Sequence, residues 1–108
     1  IKNLQKALEL APENAEIAYN LGFAYSQKSY QPTLFQADKT DALKNATKYF
    51  EYATQKNPKV AYYYGEWANA LYESGQYEEA SKTLAIGEKI DTKGSQKLRQ
   101  MINEKLKK

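Results

Sequence analysis

Apolar residues recur at helical spacing along nearly the whole chain. Ala18, Leu21, Gly22 and Tyr25 stand at i, i+3, i+4 and i+7, and so do Tyr64, Trp67, Ala68 and Leu71. That spacing gathers each set on one stripe of an α-helix. A second kind of stripe follows each of the first: Ala46-x3-Phe50-x2-Ala53 and Ala80-x3-Leu84-x2-Gly87. Near the end, Leu98, Met101, Ile102 and Leu106 share one more face. Pro12 and Pro58 close the phrases Ala7-Leu8-Glu9-Leu10-Ala11-Pro12 and Ala53-Thr54-Gln55-Lys56-Asn57-Pro58. Proline has no N–H to donate and clashes with the preceding turn, so each phrase is the end of a helix. The pattern predicts an all-α chain of about six helices.

The stripes are also in phase. Ala18 and Tyr64 each lie six residues beyond a proline, and the elements that follow them match. This pattern resembles the tetratricopeptide repeat, a helix-turn-helix unit of about 34 residues. The resemblance implies a right-handed α-solenoid of antiparallel helix pairs. Residues 1–108 are then a single domain. Residues 1–14 are the second helix of a truncated preceding repeat, 15–60 and 61–94 are repeats, and 95–108 are a C-terminal capping helix. Gly22, Ala46, Ala68 and Ala80 are the small residues that let paired helices approach. Gly75 is placed to make the turn inside the second repeat, where it can take φ > 0. Three positions depart from the pattern: Ala18 replaces a large residue, Trp67 is displaced along its stripe, and Thr92 stands where proline is expected. Ile102 occupies a site that a following repeat would need small, so the last helix is expected to end the array. Its polar outer face would be Lys97, Gln100, Asn103 and Glu104. The first residue is Ile1 and the first helix lacks a partner. Further repeats are therefore expected upstream in a longer parent.

Residues 15–60 exceed the unit length by about 12 residues. The surplus falls between Tyr25 and Ala46. Pro32 is expected to end the first helix near Ser29, and Asp38 or Thr40 to cap the next. Tyr30, Leu34 and Phe35 lie in the intervening stretch. They either fold back on a lengthened second helix or stand out as a binding knob. The lengthened loop and the run Ala46-Thr47-Lys48-Tyr49-Phe50 resemble the plant mitochondrial import receptors, which would imply peptide binding through the insertion.

Composition narrows the chemistry. The 108 residues include no cysteine and no histidine. Thiol nucleophiles, cysteine-ligated zinc and histidine general bases are thereby excluded. Ser26, Ser29, Ser74 and Ser81 have no histidine to activate them, and the five glycines form no phosphate loop. The chain is not expected to be an enzyme, nor to need a cofactor or metal. Net charge is +3, and residues 93–108 hold six basic residues against Glu104 alone. That helix has no aromatic residue to stack on bases, so nucleic acid is not expected as a partner. No apolar run approaches the roughly 18 residues of a membrane span.

What remains is recognition of a protein or peptide. In the tetratricopeptide family the first helices of successive repeats line a concave groove. The resemblance places Glu16, Tyr19, Phe23, Ser26, Gln27, Tyr62, Gly65, Asn69, Tyr72, Glu73, Gln96, Arg99 and Asn103 there. Of these, Tyr19, Phe23, Gln27, Tyr62, Asn69, Tyr72 and Arg99 are the candidate contact residues. Tyrosine joins apolar area to a hydroxyl. Asn69 can donate and accept at a partner backbone, and Arg99 can hold a carboxylate in two-point fashion. The carboxylate clamp of chaperone-binding members would need Lys and Asn where Tyr19 and Phe23 stand, so that specificity is not expected. The competing use of the aromatics is internal packing, simplest for Tyr25, Tyr49 and Tyr64. The expected function is a scaffold or adaptor binding a peptide or partner helix. The alternative is a spacer, or a self-assembly segment joining through the open N-terminal helix.

Overall fold

Each predicted stripe becomes a helix in the computed structural model, which describes residues 1–32 and 35–107. The helices are α1 (Lys2–Leu10), α2 (Ala15–Ser29), α3 (Gln36–Lys56), α4 (Ala61–Glu73), α5 (Tyr77–Ile90) and α6 (Gln96–Leu106). There is no strand among the described residues. None of these helices is long and apolar enough to cross a membrane.

Local chemistry sets the ends. Asn14 caps α2, its side chain accepting from the Ile17 N–H at 3.2 Å. Gly75, at φ 82°, closes α4. There the Gln76 N–H reaches the Leu71 carbonyl at 2.9 Å and the Gly75 N–H reaches Tyr72 at 3.0 Å, the paired bonds of a Schellman turn. Gly94 also takes φ 82°, in the turn before α6. Asp91 and Thr92 complete that turn without a proline. The Asp91 carboxylate accepts from the Lys93 N–H at 2.9 Å, and the Thr92 carbonyl accepts from the Ser95 hydroxyl at 2.8 Å.

The start of α3 corrects the expected cap. The helix begins at Gln36, so neither Asp38 nor Thr40 caps it. Asp38 lies in the first turn, where a carboxylate faces the positive end of the helix dipole. Thr40 donates back to the Gln36 carbonyl at 3.1 Å, inside the helix. Past Pro32 nothing in the sequence breaks a helix. Much of the extra length is therefore taken up as helix, and α3 reaches 21 residues.

Small residues let successive helices pair in antiparallel fashion. A Cβ on Gly22 would lie 2.6 Å from the Phe50 ring and 3.1 Å from the Ala46 carbonyl. Nearer the start of α2, Ala15 and Ala18 pack with Ala53 and with Tyr63 of α4. On the other hairpin, a Cβ on Gly87 would lie 3.0 Å from the Tyr64 Cβ. Ala18, Leu21, Ala46, Phe50, Ala53, Ala68 and Ala80 are completely buried. Ile102 brings α6 into the core, also completely buried, beside Ala68, Leu71, Ala80 and Leu84. The assembly measures 45 × 35 × 17 Å. At 17 Å it is only two helix layers thick, so each helix relies on its immediate neighbours.

Candidate functional site

One stripe of α2 meets α4. Tyr19 is the hub. Its ring lies 5.1 Å from Tyr62, edge-on, and 5.1 Å from Tyr63, stacked. Phe23 stacks on it at 6.2 Å, and Phe50 of α3 supports it at 5.7 Å. Tyr63 is buried, Tyr19 half-buried, and Phe23 and Tyr62 keep an exposed face. Glu16, one turn before Tyr19, holds the near end together. Its carboxylate accepts from the Tyr63 hydroxyl at 2.8 Å and the Tyr62 hydroxyl at 3.2 Å. Burial pushes the Tyr19 phenol up to about 12, with the Glu66 charge adding to the effect. Burial raises Tyr63 and Tyr62 as well, and the bonds to Glu16 reinforce both shifts.

Next to this aromatic face the molecule opens. A cleft of about 920 Å³ lies between α4 on one side and α5 and α6 on the other. Tyr62, Gly65, Glu66 and Asn69 line it from α4, and Leu84, Leu98 and Met101 give it an apolar wall. The α4 residues fall at i, i+3, i+4 and i+7, one stripe facing the opening. Gly65 keeps it wide: a Cβ there would meet nothing within 4 Å. Lys59, Lys93 and Lys97 also line the cleft. Glu66 is half-buried, and the loss of water around it raises its carboxyl above the usual range.

The candidate contact residues divide. Tyr19, Phe23 and Tyr62 form one contiguous aromatic surface. Asn69 lies in the cleft, and its amide donates to the Tyr30 hydroxyl at 3.1 Å. Thus the first residue of the insertion reaches the groove. Gln27 is exposed near the end of α2. Tyr72 is turned to the interior, against the Ala68–Ile102 cluster and the Tyr77 ring at 5.3 Å. Arg99 does not join the groove surface. It grips Glu88 through two bonds, of 2.8 and 3.3 Å, and donates to the Ser81 hydroxyl at 2.7 Å and carbonyl at 3.0 Å. Its fork ties α6 to α5. Phe35 is 79% exposed, and Leu34 lies outside the described residues. Tyr63 and Glu66 are the site residues that reasoning from sequence did not place in the groove, and Glu16 was placed there but not among the contact residues. Glu66 shares the stripe of Tyr62 and Asn69, and that spacing is the signal that could have found it.

Residues 1–29, which span α1 and α2, match the family model for the TPR repeat. This match supports a tetratricopeptide-repeat assignment. Tetratricopeptide repeats generally mediate protein–protein interactions and are typically non-enzymatic. The search for similar curated proteins found no match.

Proposed function

We propose that this tetratricopeptide chain is an adaptor segment that binds an extended peptide or partner helix along α2, α4 and α6. The observation that carries this reading is the continuity of two features. An exposed aromatic face, Phe23 and Tyr62 over Tyr19, runs into a cleft of about 920 Å³. Aromatic side chains at a pocket edge are the usual energetic anchors of interfaces. They lose little side-chain entropy on binding, and here Phe50 and Tyr63 already hold Tyr19 in place.

Panning a phage-displayed library of random linear peptides tests the reading. The native chain is expected to recover peptides that the double variant Phe23→Ser/Tyr62→Ser does not hold, with circular dichroism confirming that the variant is folded. Peptides that bind both proteins equally would remove the groove from consideration. A second reading, self-association through α1, draws on one observation: α1 buries none of its residues, and Leu10 is 80% exposed. A mass that rises with concentration, and falls back on Leu10→Ser, is its test.

A further inference from the structure

Besides Glu66, the acids that line the cleft are engaged, and so is Glu16 beside it. Glu16 accepts from two tyrosines, Glu88 from Arg99, and Asp91 from the Lys93 N–H. Glu66 differs. It sits mid-helix in α4, half-buried, on the wall of the cleft, and among the described residues it has no hydrogen bond or ion pair. A carboxylate drawn partly out of water without a partner is unfavourable, and a cationic group that donates hydrogen bonds offsets that cost most strongly. The surroundings suit such an arrival. Tyr62 lies one turn before Glu66 on the same stripe, and Phe23 and Tyr62 keep exposed ring faces. An aromatic face attracts a cation and packs its aliphatic stem.

We infer that Glu66 anchors a lysine or arginine side chain of the bound segment, with Tyr62 and Phe23 flanking its stem. This rests on the groove reading above. The lysines lining the same cleft refine it. Lys59 precedes α4, and Lys93 and Lys97 flank the turn into α6, so all three stand toward the N-terminal end of α4. Glu66 lies five residues into that helix from Ala61, or about 7.5 Å at 1.5 Å per residue. Asp91 stands among these lysines, but the mouth remains net basic, and Glu66 lies further in, so the cleft is polarised. An extended chain covers that distance in about two residues. The favoured segment then carries a basic residue with an acidic one about two positions away. A purely acidic segment would meet Glu66 as a like charge.

The peptides recovered by panning supply the test. Lysine or arginine is expected at one recurrent position. Replacing that residue by norleucine should weaken binding to the native chain about tenfold, as for a charge-assisted hydrogen bond. On Glu66→Gln, a near-isosteric variant checked by circular dichroism, the same replacement should change affinity less than about twofold. Groove-dependent peptides with no basic position would overturn this inference and leave the groove reading intact. So would an acidic consensus, or a norleucine effect equally large on Glu66→Gln. If no peptide is recovered, or only peptides indifferent to Phe23→Ser/Tyr62→Ser, both readings fall together.

Discussion

The seam between α2 and α4 and the seam between α4 and α6 occupy equivalent places in the repeated pattern, yet one is filled and the other is open. Where Ala18 aligns with Tyr64, the next residues are Tyr19 and Gly65. Tyr19 fills the first seam, touching Phe23, Phe50, Tyr62 and Tyr63. Gly65 projects nothing into the second, and a cleft stands there. The backbone plan is the same on both sides of α4. One side chain, Tyr19 against Gly65, separates the filled seam from the open one. Repeat architectures allow this because each seam is stabilised locally.

That locality can be broken most forcefully at two of the largest fully buried side chains. Phe50 is completely buried under the filled seam. Phe50→Ala should cost about 3–5 kcal/mol and unfold α2 and α3 together. Ile102 is also completely buried, but it belongs to the open side. Ile102→Ala should cost about 2–5 kcal/mol locally, releasing α6 while α2 and α3 stay protected. Hydrogen exchange read helix by helix separates the two outcomes. Equal loss of protection everywhere in Ile102→Ala would mean that the seams are one cooperative core.

A smaller effect is expected at Gly22. Alanine is the better helix former by about 1 kcal/mol, but a Cβ there would press into Phe50 and the Ala46 backbone, at 2.6 and 3.1 Å. The ring is fully buried and has nowhere to move. Overpacking of this kind costs about 1–3 kcal/mol, so Gly22→Ala should lower the melting temperature.

Much of this was legible in the chain. Helix existence followed from the stripes because burial at period 3.6 is a strong constraint, and Gly22 and Gly75 declared a close approach and a turn. The start of α3 was less legible. Residues 36–41 are compatible with helix or loop, and capping side chains such as Asp38 and Thr40 are also tolerated within a first turn. The site was read in part. Tyr19, Phe23 and Tyr62 came from the repeat resemblance, which does place residues on a face. It does not say which of them a neighbour has already claimed. Arg99 is spent on Glu88 and Ser81, and Tyr72 on the interior. Glu66 could have been placed on the face by its stripe, but that it has no partner among the described residues is visible only in the folded contacts.

Gly65 gives the matched opposite to Gly22. It too lies within a helix at negative φ, but its Cβ direction is empty. Gly65→Ala should therefore stabilise by about 0.5–1 kcal/mol through backbone entropy alone. Thermal melts of the two alanine variants must move in opposite directions for the contrast between seams to hold. The same substitution adds a methyl group to the cleft wall, so a peptide selected on the native chain should bind the stabilised variant more weakly.

The smallest effect concerns Glu66, and its sign is informative. Burial holds its folded-state carboxyl above the usual range, so the folded protein keeps that proton to higher pH than the unfolded chain does. In the window between the two values the folded state binds more protons, and stability falls as pH rises through it. Above the window the ionised group carries its full desolvation cost. Glu66→Gln lacks that titration. Urea unfolding at pH 7 should find the variant more stable than the native chain. Near pH 3, below the ordinary carboxylate range, the difference should close. Comparing variant with native at each pH cancels the other carboxylates, since they titrate in both proteins. A gap that stays constant with pH would mean that the charge costs nothing and that Glu66 is well solvated. A gap confined to neutral pH would mark the open seam as a place where the free protein gives up stability to keep a charge unpartnered, as binding sites commonly do. Tyr19 in the filled seam shows the opposite arrangement. Its hydroxyl is neutral throughout this range, so its burial adds no pH dependence between pH 3 and pH 7.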